Sequence, residues 1–226
     1  MSFIRELISS NPIQLFKNEN IRKNIVNSFY FFGGTFIQFI IAIFTQPIFS
    51  KYLELEDFAI IGYFGAISAI LYPLFSMTLP FYYLAQYWKK DSEKDGDSNL
   101  SFILNFLNIS NSILAIIAFI FVSLYFKLFN IAFPLIPFIF IVLANLFFEK
   151  YKTYYLLECR VLKQGLKFFL INIIQIIINT SFSLFFVVAL KGGAAGRMSG
   201  PLISVILIGI VAIVIFVKEK KIQVFI

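Results

Sequence analysis

The sequence predicts an all-α polytopic membrane protein, a six-transmembrane-helix bundle with both termini in the cytoplasm. Apolar residues make up 60% of the 226 residues, and charged residues only 14%. A soluble domain of this length exposes too much surface to water for that composition, whereas hydrocarbon solvates an apolar exterior. The lengths of the apolar runs and the placement of the basic residues lead to the same prediction.

Six apolar runs are each long enough to cross about 30 Å of hydrocarbon. They cover residues 25–50, 58–88, 100–126, 131–155, 165–190 and 198–217. Pro73 and Pro80 in the second run predict a kinked or tilted helix. Pro134 and Pro137 lie near the start of the fourth run, where a helix tolerates proline. Each run is therefore assigned one membrane span.

The distribution of Lys and Arg gives the orientation. With the amino terminus inside, 15 of the 19 basic residues fall in cytoplasmic segments. The four outer ones are Lys51, Lys127, Lys191 and Arg197. This asymmetry is the positive-inside pattern. It also supports the span count, because one helix more or fewer would place later basic residues on the wrong side of the membrane. We therefore expect a polar cytoplasmic or interfacial segment at 1–21, a membrane lobe at 22–217, and a cytoplasmic tail or linker start at 218–226.

Residue types that most enzymes and metal sites need are scarce. The chain has no histidine and one cysteine, Cys159, so it lacks the commonest general base and cannot form an internal disulfide. No phosphate-cradling glycine loop, paired-cysteine spacing or catalytic triad is present. We therefore expect no enzymatic activity, no cofactor and no metal. The net charge of +7 is assigned to membrane topology and not to nucleic-acid binding.

Polar side chains recur at helical spacing inside the runs. At 3.6 residues per turn each set shares one face of its helix. The sets are Thr35, Gln38, Thr45 and Gln46; Ser68, Tyr72 and Ser76; Asn105, Asn108 and Ser112; Asn145, Glu149 and Lys152; and Asn172, Gln175 and Asn179. Amides in hydrocarbon need a partner or water. These polar stripes are either dry contacts between helices or the wall of a polar cavity.

Four charged residues lie near the ends of spans, and each has a structural and a functional interpretation. Glu149 either pairs with Lys152 or lines a substrate path. Arg197 either faces the outer headgroups or binds an anionic substrate. Arg22 and Lys23 are either topology signals alone or cationic groups that attract phosphate at the cytoplasmic mouth. Gly196 and Gly200 are spaced for close packing of the sixth helix.

Two segments resemble a known family. Residues 31–64, FFGGTFIQFIIAIFTQPIFSKYLELEDFAIIGYF, resemble the first helix, first outer loop and second-helix start of polysaccharide (O-antigen, Wzx-type) flippases. Residues 189–207, ALKGGAAGRMSGPLISVIL, are similar to that family's glycine-rich entry to helix six. The matching positions are Gly33, Gly34, Gln38, Pro47, Tyr52, Leu53, Asp57 and Phe58. The family belongs to the multidrug/oligosaccharidyl-lipid/polysaccharide exporter superfamily.

The resemblance implies one lobe of a MATE-like exporter, since family members have two six-helix lobes around a central cavity. It further implies flipping of an undecaprenyl-diphosphate-linked glycan across the bacterial cytoplasmic (inner) membrane, in O-antigen, lipopolysaccharide or other polysaccharide biosynthesis. Membrane lipid and a second lobe, or a second copy in a homodimer, are the implied partners. The even span count suits a parallel repeat. The ending at VKEKKIQVFI lies where a linker between lobes begins, so we expect a truncated or half-length form.

In this reading the stripes and the terminal charges form the substrate path. The candidates are Arg22, Lys23, Gln38, Gln46, Asn105, Asn108, Asn145, Glu149, Asn172, Gln175, Asn179 and Arg197. The alternatives are a non-transporting assembly or scaffold subunit and a fragment of a multidrug-type exporter. The drug-exporting branch often has an acidic residue in its first helix, and none lies between Arg22 and Lys51.

Overall fold

The computed structural model describes residues 19–89 and 93–219 of the chain, with the side chains of 22–86 and 100–219. The described residues form helices and no strand. The elements are α1 (Glu19–Tyr52), α2 (Leu55–Ser76), α3 (Leu79–Lys89), α4 (Glu93–Leu128), α5 (Phe138–Val161), α6 (Gly165–Leu184) with a π-helical turn (Phe185–Ala189), and α7 (Gly193–Lys218). The segment predicted at 1–21 lies almost wholly outside the described residues, as does most of the tail at 218–226.

Five helices of the described chain are long and apolar enough to cross a membrane. They are α1, α2, α4, α6 with its π-helical turn, and α7. This agrees with a multi-pass helical membrane bundle. The fourth predicted run is different, because its helix α5 carries Glu149, Lys150 and Lys152 in the middle and Glu158 and Arg160 near its end.

The second predicted run is divided between two helices. Met77 and Thr78 lie between α2 and α3 with positive φ angles of 48° and 54°, a conformation that side-chain-bearing residues rarely adopt. The Met77 N–H donates to the carbonyl of Pro73 at 2.9 Å and closes the last turn of α2. A single kinked helix over 58–88 was expected from Pro73 and Pro80. Instead Pro73 lies inside α2, and Pro80 lies in the first turn of α3.

The helix α5 is the centre of the bundle. It packs against α7, α2, α4, α3 and α6, and among the described side chains it has more buried residues than any other helix. The helix α7 packs against α5, α6 and α2, whereas α1 packs chiefly on α6. As a result α1 is largely exposed and presents aromatic side chains such as Phe29, Phe32 and Phe36. In a bilayer such a surface is solvated by lipid or covered by protein.

Glycines allow the closest helix contacts. A Cβ atom at Gly196 would lie 3.1 Å from the Phe186 backbone, and one at Gly200 would overlap the Ser183 hydroxyl. The close packing predicted for this pair is confirmed, since both glycines are buried. A Cβ atom at Gly33 would lie 3.0 Å from the Phe169 ring, so a glycine also allows α1 to approach α6 closely.

Candidate functional site

Polar side chains meet between α4 and α5. The Tyr151 hydroxyl donates to the amide oxygen of Asn108 at 2.6 Å. The Lys150 ammonium donates to the carbonyl of Leu107 at 3.3 Å and lies 3.8 Å from the centroid of the Phe147 ring. Lys150 is only 6% exposed, although it is a lysine. We call Asn108, Lys150 and Tyr151 the α4–α5 cluster.

The predicted pairing of Glu149 with Lys152 is present. The Lys152 Nζ atom lies 2.9 Å from a Glu149 carboxylate oxygen, one turn along α5. The pair is partly exposed, and ion pairs of this kind contribute little to stability. It neutralises the charge of Glu149. Asn145, one turn earlier on α5, is partly buried, and so is Asn105 on α4.

A second polar group lies between α6 and α7. Arg197 donates through a guanidinium nitrogen to the Ser183 hydroxyl at 3.0 Å. The Ser183 hydroxyl lies 3.3 Å from the Asn179 amide oxygen and is fully buried. The guanidinium carbon lies 4.3 Å from the centroid of the Phe49 ring on α1, within range of a cation–π interaction. Asn179, Ser183 and Arg197 form the α6–α7 cluster, which α1 covers with an aromatic ring.

The remaining stripe residues divide between contacts and open surface. The Asn172 amide donates to the carbonyl of Phe168 on its own helix at 2.8 Å. A Cβ atom at Gly34 would lie 3.4 Å from Asn172, so this amide faces α1. Gln175 is partly buried. The exposed candidates are Arg22, Lys23, Gln38 and Gln46, all on α1.

The twelve candidates are therefore not gathered in one place. Asn108 and Glu149 belong to the α4–α5 region, and Asn179 and Arg197 to the α6–α7 cluster. The exposed candidates on α1 form a separate surface. In each cluster some polar atoms bond to other residues of the bundle, as expected for dry contacts between helices. Each cluster also contains a cationic donor, Lys150 or Arg197, as expected for the wall of a polar cavity.

Several polar side chains of the bundle were not among the candidates, and Lys150 and Asn111 are two buried examples. In the sequence Lys150 counts as one of the cytoplasmic basic residues. Its burial was not predicted because its partner, the Leu107 carbonyl, lies 43 positions away. Asn111 is 1% exposed, and neither amide atom has a hydrogen-bond partner among the described residues. Asn105, Asn108 and Asn111 are each three residues apart, whereas the predicted stripe continued to Ser112. This three-residue repeat is the sequence signal that could have identified Asn111.

Asp57 is a further missed residue, and it joins two helix starts. One carboxylate oxygen accepts the Ala194 N–H of α7 at 2.7 Å, and the other accepts the Glu54 N–H at 3.1 Å. A carboxylate at this position satisfies N–H groups that a helix leaves unpaired and opposes the positive end of its dipole. An acid three residues after a helix cap is a capping-box signal in the sequence.

Comparison with known proteins adds no relative to this picture. The chain matches no protein-family model, no curated protein and no solved structure. The resemblance to flippases therefore depends on the quoted residues of the chain itself.

Proposed function

We propose that the chain is a six-helix lobe of a transporter that moves a lipid-linked oligosaccharide across the bacterial cytoplasmic membrane. The observation that carries the proposal is Arg197. Its guanidinium is held between α1, α6 and α7 by Ser183 and the Phe49 ring. A guanidinium has five N–H donors in a planar fork that suits phosphate oxygens. The side-chain bond to Ser183 uses one of them, so the others are available to a diphosphate.

A six-helix lobe requires one span besides the five long apolar helices, and α5, the fourth predicted span in chain order, is that helix. The ring of Phe133, just before α5, lies 5.7 Å from the ring of Tyr63. Tyr63 is eight residues into α2, which corresponds to about 12 Å of helix. The chain thus enters α5 well inside the bundle. About 18 Å of a 30 Å hydrocarbon layer then remains, or about 12 residues of helix. Twelve residues from Phe138 reach Glu149, so the charged half of α5 begins where the hydrocarbon ends.

The six spans place both termini in the cytoplasm. The basic residues support that orientation, and Arg197 then lies near the outer face and the Glu149–Lys152 pair near the inner face. The exposed surface of α1 with Gln38 and Gln46 faces a second lobe, either another chain or another copy. Substrate moves between the lobes while its lipid tail stays in the bilayer, as in alternating access. The chemistry requires no enzymatic step and no cofactor.

Proteoliposomes test the proposal. The full chain is reconstituted with a fluorescently labelled polyprenyl-diphosphate oligosaccharide, and arrival of the glycan at the opposite leaflet is followed by its binding to an added lectin. Replacing Arg197 by Gln removes charge-assisted hydrogen bonds, so the rate should fall about 10-fold or more. Lys191→Gln, an exposed outer charge, is the matched control and should leave the rate unchanged. A rate no higher than in protein-free vesicles, or equal rates for both variants, would refute the proposal.

The second candidate is a non-transporting assembly subunit. It is favoured because these amides have partners inside the bundle: Asn108 accepts from the Tyr151 hydroxyl, and Asn172 donates to the Phe168 carbonyl. Single cysteines at Gln38 and Gln175, in a Cys159→Ser background, distinguish the two. Labelling of both by a water-soluble thiol reagent in membranes supports a hydrated path. Protection of both supports the assembly subunit.

A further inference from the structure

A small cavity lies where α2, α4 and α5 meet, beside the α4–α5 cluster. Its volume is about 20 Å³. Six polar residues line it: Tyr72, Ser76, Glu149, Lys150, Thr153 and Tyr154. Phe75, Leu107 and Leu146 form apolar walls between them. About 10–15 Å³ is enough for one water molecule, so the cavity has room for a single water or a monatomic ion.

Two buried groups direct donors toward this cavity. Tyr154 is 1% exposed, and its hydroxyl has no hydrogen-bond partner within the residues that the structure describes. Lys150 is 6% exposed, and its ammonium donates to the Leu107 carbonyl, which uses one of three N–H groups. A buried donor without a partner destabilises the folded state. Both residues would therefore gain stability from an acceptor placed between them.

The local charge decides which acceptor the cavity favours. Glu149 and Lys150 are the charged members of its lining. The Glu149 carboxylate is paired with Lys152 at 2.9 Å, so its charge is largely compensated. No carboxylate of the described chain lies within ion-pair distance of Lys150, which leaves one positive charge with hydroxyl donors around it. Burying a single charge is costly unless an opposite charge accompanies it.

We propose that this cavity is a binding site for one monatomic anion, chloride under cellular conditions. Lys150 supplies the charge, and the hydroxyls of Tyr154 and Thr153 supply hydrogen bonds. The Ser76 hydroxyl already donates to the Pro73 carbonyl at 3.2 Å. A volume of about 20 Å³ is too small for larger anions such as gluconate and for a phosphate group. The bound ion would hold α2 and α4 against α5. The site is independent of the proposed transport, because none of its donors belongs to the α6–α7 cluster.

Thermal unfolding of the full chain in detergent tests the site. Gluconate is replaced by bromide or chloride at constant sodium concentration, and unfolding is followed by labelling of the buried Cys159 with a thiol-reactive dye. Halide should raise the unfolding midpoint by about 5–11 °C at a hundredfold excess over its dissociation constant. Lys150→Met should abolish the shift. Lys127→Met, which removes an exposed lysine at the end of α4, should retain it.

Tyr154→Phe keeps the test decisive should Lys150→Met fail to fold. Loss of one hydrogen bond should raise the half-saturating halide concentration about 5-fold. In crystals grown with bromide, an anomalous peak should lie between Lys150 Nζ and the Tyr154 hydroxyl. The site is refuted if halide does not shift the wild type, which would indicate a bound water only. It is also refuted if Lys150→Met keeps the full shift, if Tyr154→Phe binds halide as tightly as the wild type, or if bromide lies elsewhere. The glycan-transport assay does not measure halide binding, so the two proposals fail separately.

Discussion

Removal of the Asp57 carboxylate should destabilise the bundle at the end where α2 and α7 begin. In Asp57→Ala the Ala194 N–H loses an acceptor at 2.7 Å, and the Glu54 N–H loses one at 3.1 Å. Each helix-terminal bond contributes about 1 kcal/mol. The two contributions together give about 2 kcal/mol. For a chain of this length, that loss corresponds to a fall in the unfolding midpoint of about 4–8 °C.

The chain carries its own reporter for this measurement. Cys159 is the single cysteine and is 2% exposed, so a thiol-reactive dye labels it only after the bundle opens. Asp57→Asn keeps one oxygen acceptor but loses the charge, and it should lower the midpoint by about half as much. Glu56→Ala, an exposed acid in the same turn, serves as the control and should leave the midpoint unchanged. If Asp57→Ala unfolds within 1 °C of the wild type, the carboxylate does not hold the two helix starts together.

Two further predictions use the same assay. Gly200→Ala should lower the stability by about 1–3 kcal/mol because its methyl group would overlap the Ser183 hydroxyl, whereas Gly65→Ala, with open space at the Cβ position, should be neutral or slightly stabilising. Equal midpoints for these two variants would show that α7 does not pack closely on α6. Tyr151→Phe should cost about 1 kcal/mol through the lost bond to Asn108, and a double variant with Asn108→Ala that shows no coupling would contradict that contact.

Much of the helical organisation follows from the apolar runs, because run length and charge spacing are local properties of a membrane span. The place where α2 ends does not follow from them. Pro73 and Pro80 indicated a disturbance, but the break falls at Met77 and Thr78, which adopt a conformation usually left to glycine. No rule of composition points to those two residues. The left-handed turn precedes α3, which packs against α4 and α5, partners that are distant in the sequence.

The candidate site was predictable only in outline. Helical spacing identified Asn108 and Asn179, and a charge at the start of a span identified Arg197. All three take part in the clusters. It did not identify Lys150 or Asp57, because their partners are distant in sequence. Asp57 meets Ala194 across 137 positions, a contact that becomes visible only when the helices are assembled.

The central place of α5 has a consequence for biosynthesis. The apolar part of this helix, residues 138–148, is shorter than the roughly 20 apolar residues that a helix needs to cross the hydrocarbon alone. The helix α7, on which α5 packs most extensively, is made after α5 and is the last of the described helices in chain order. At about 5–20 residues per second, α7 emerges about 3–11 s after α5. Until then α5 depends on α2 and α4, so the helix that organises the finished bundle is also the one whose insertion its neighbours must support.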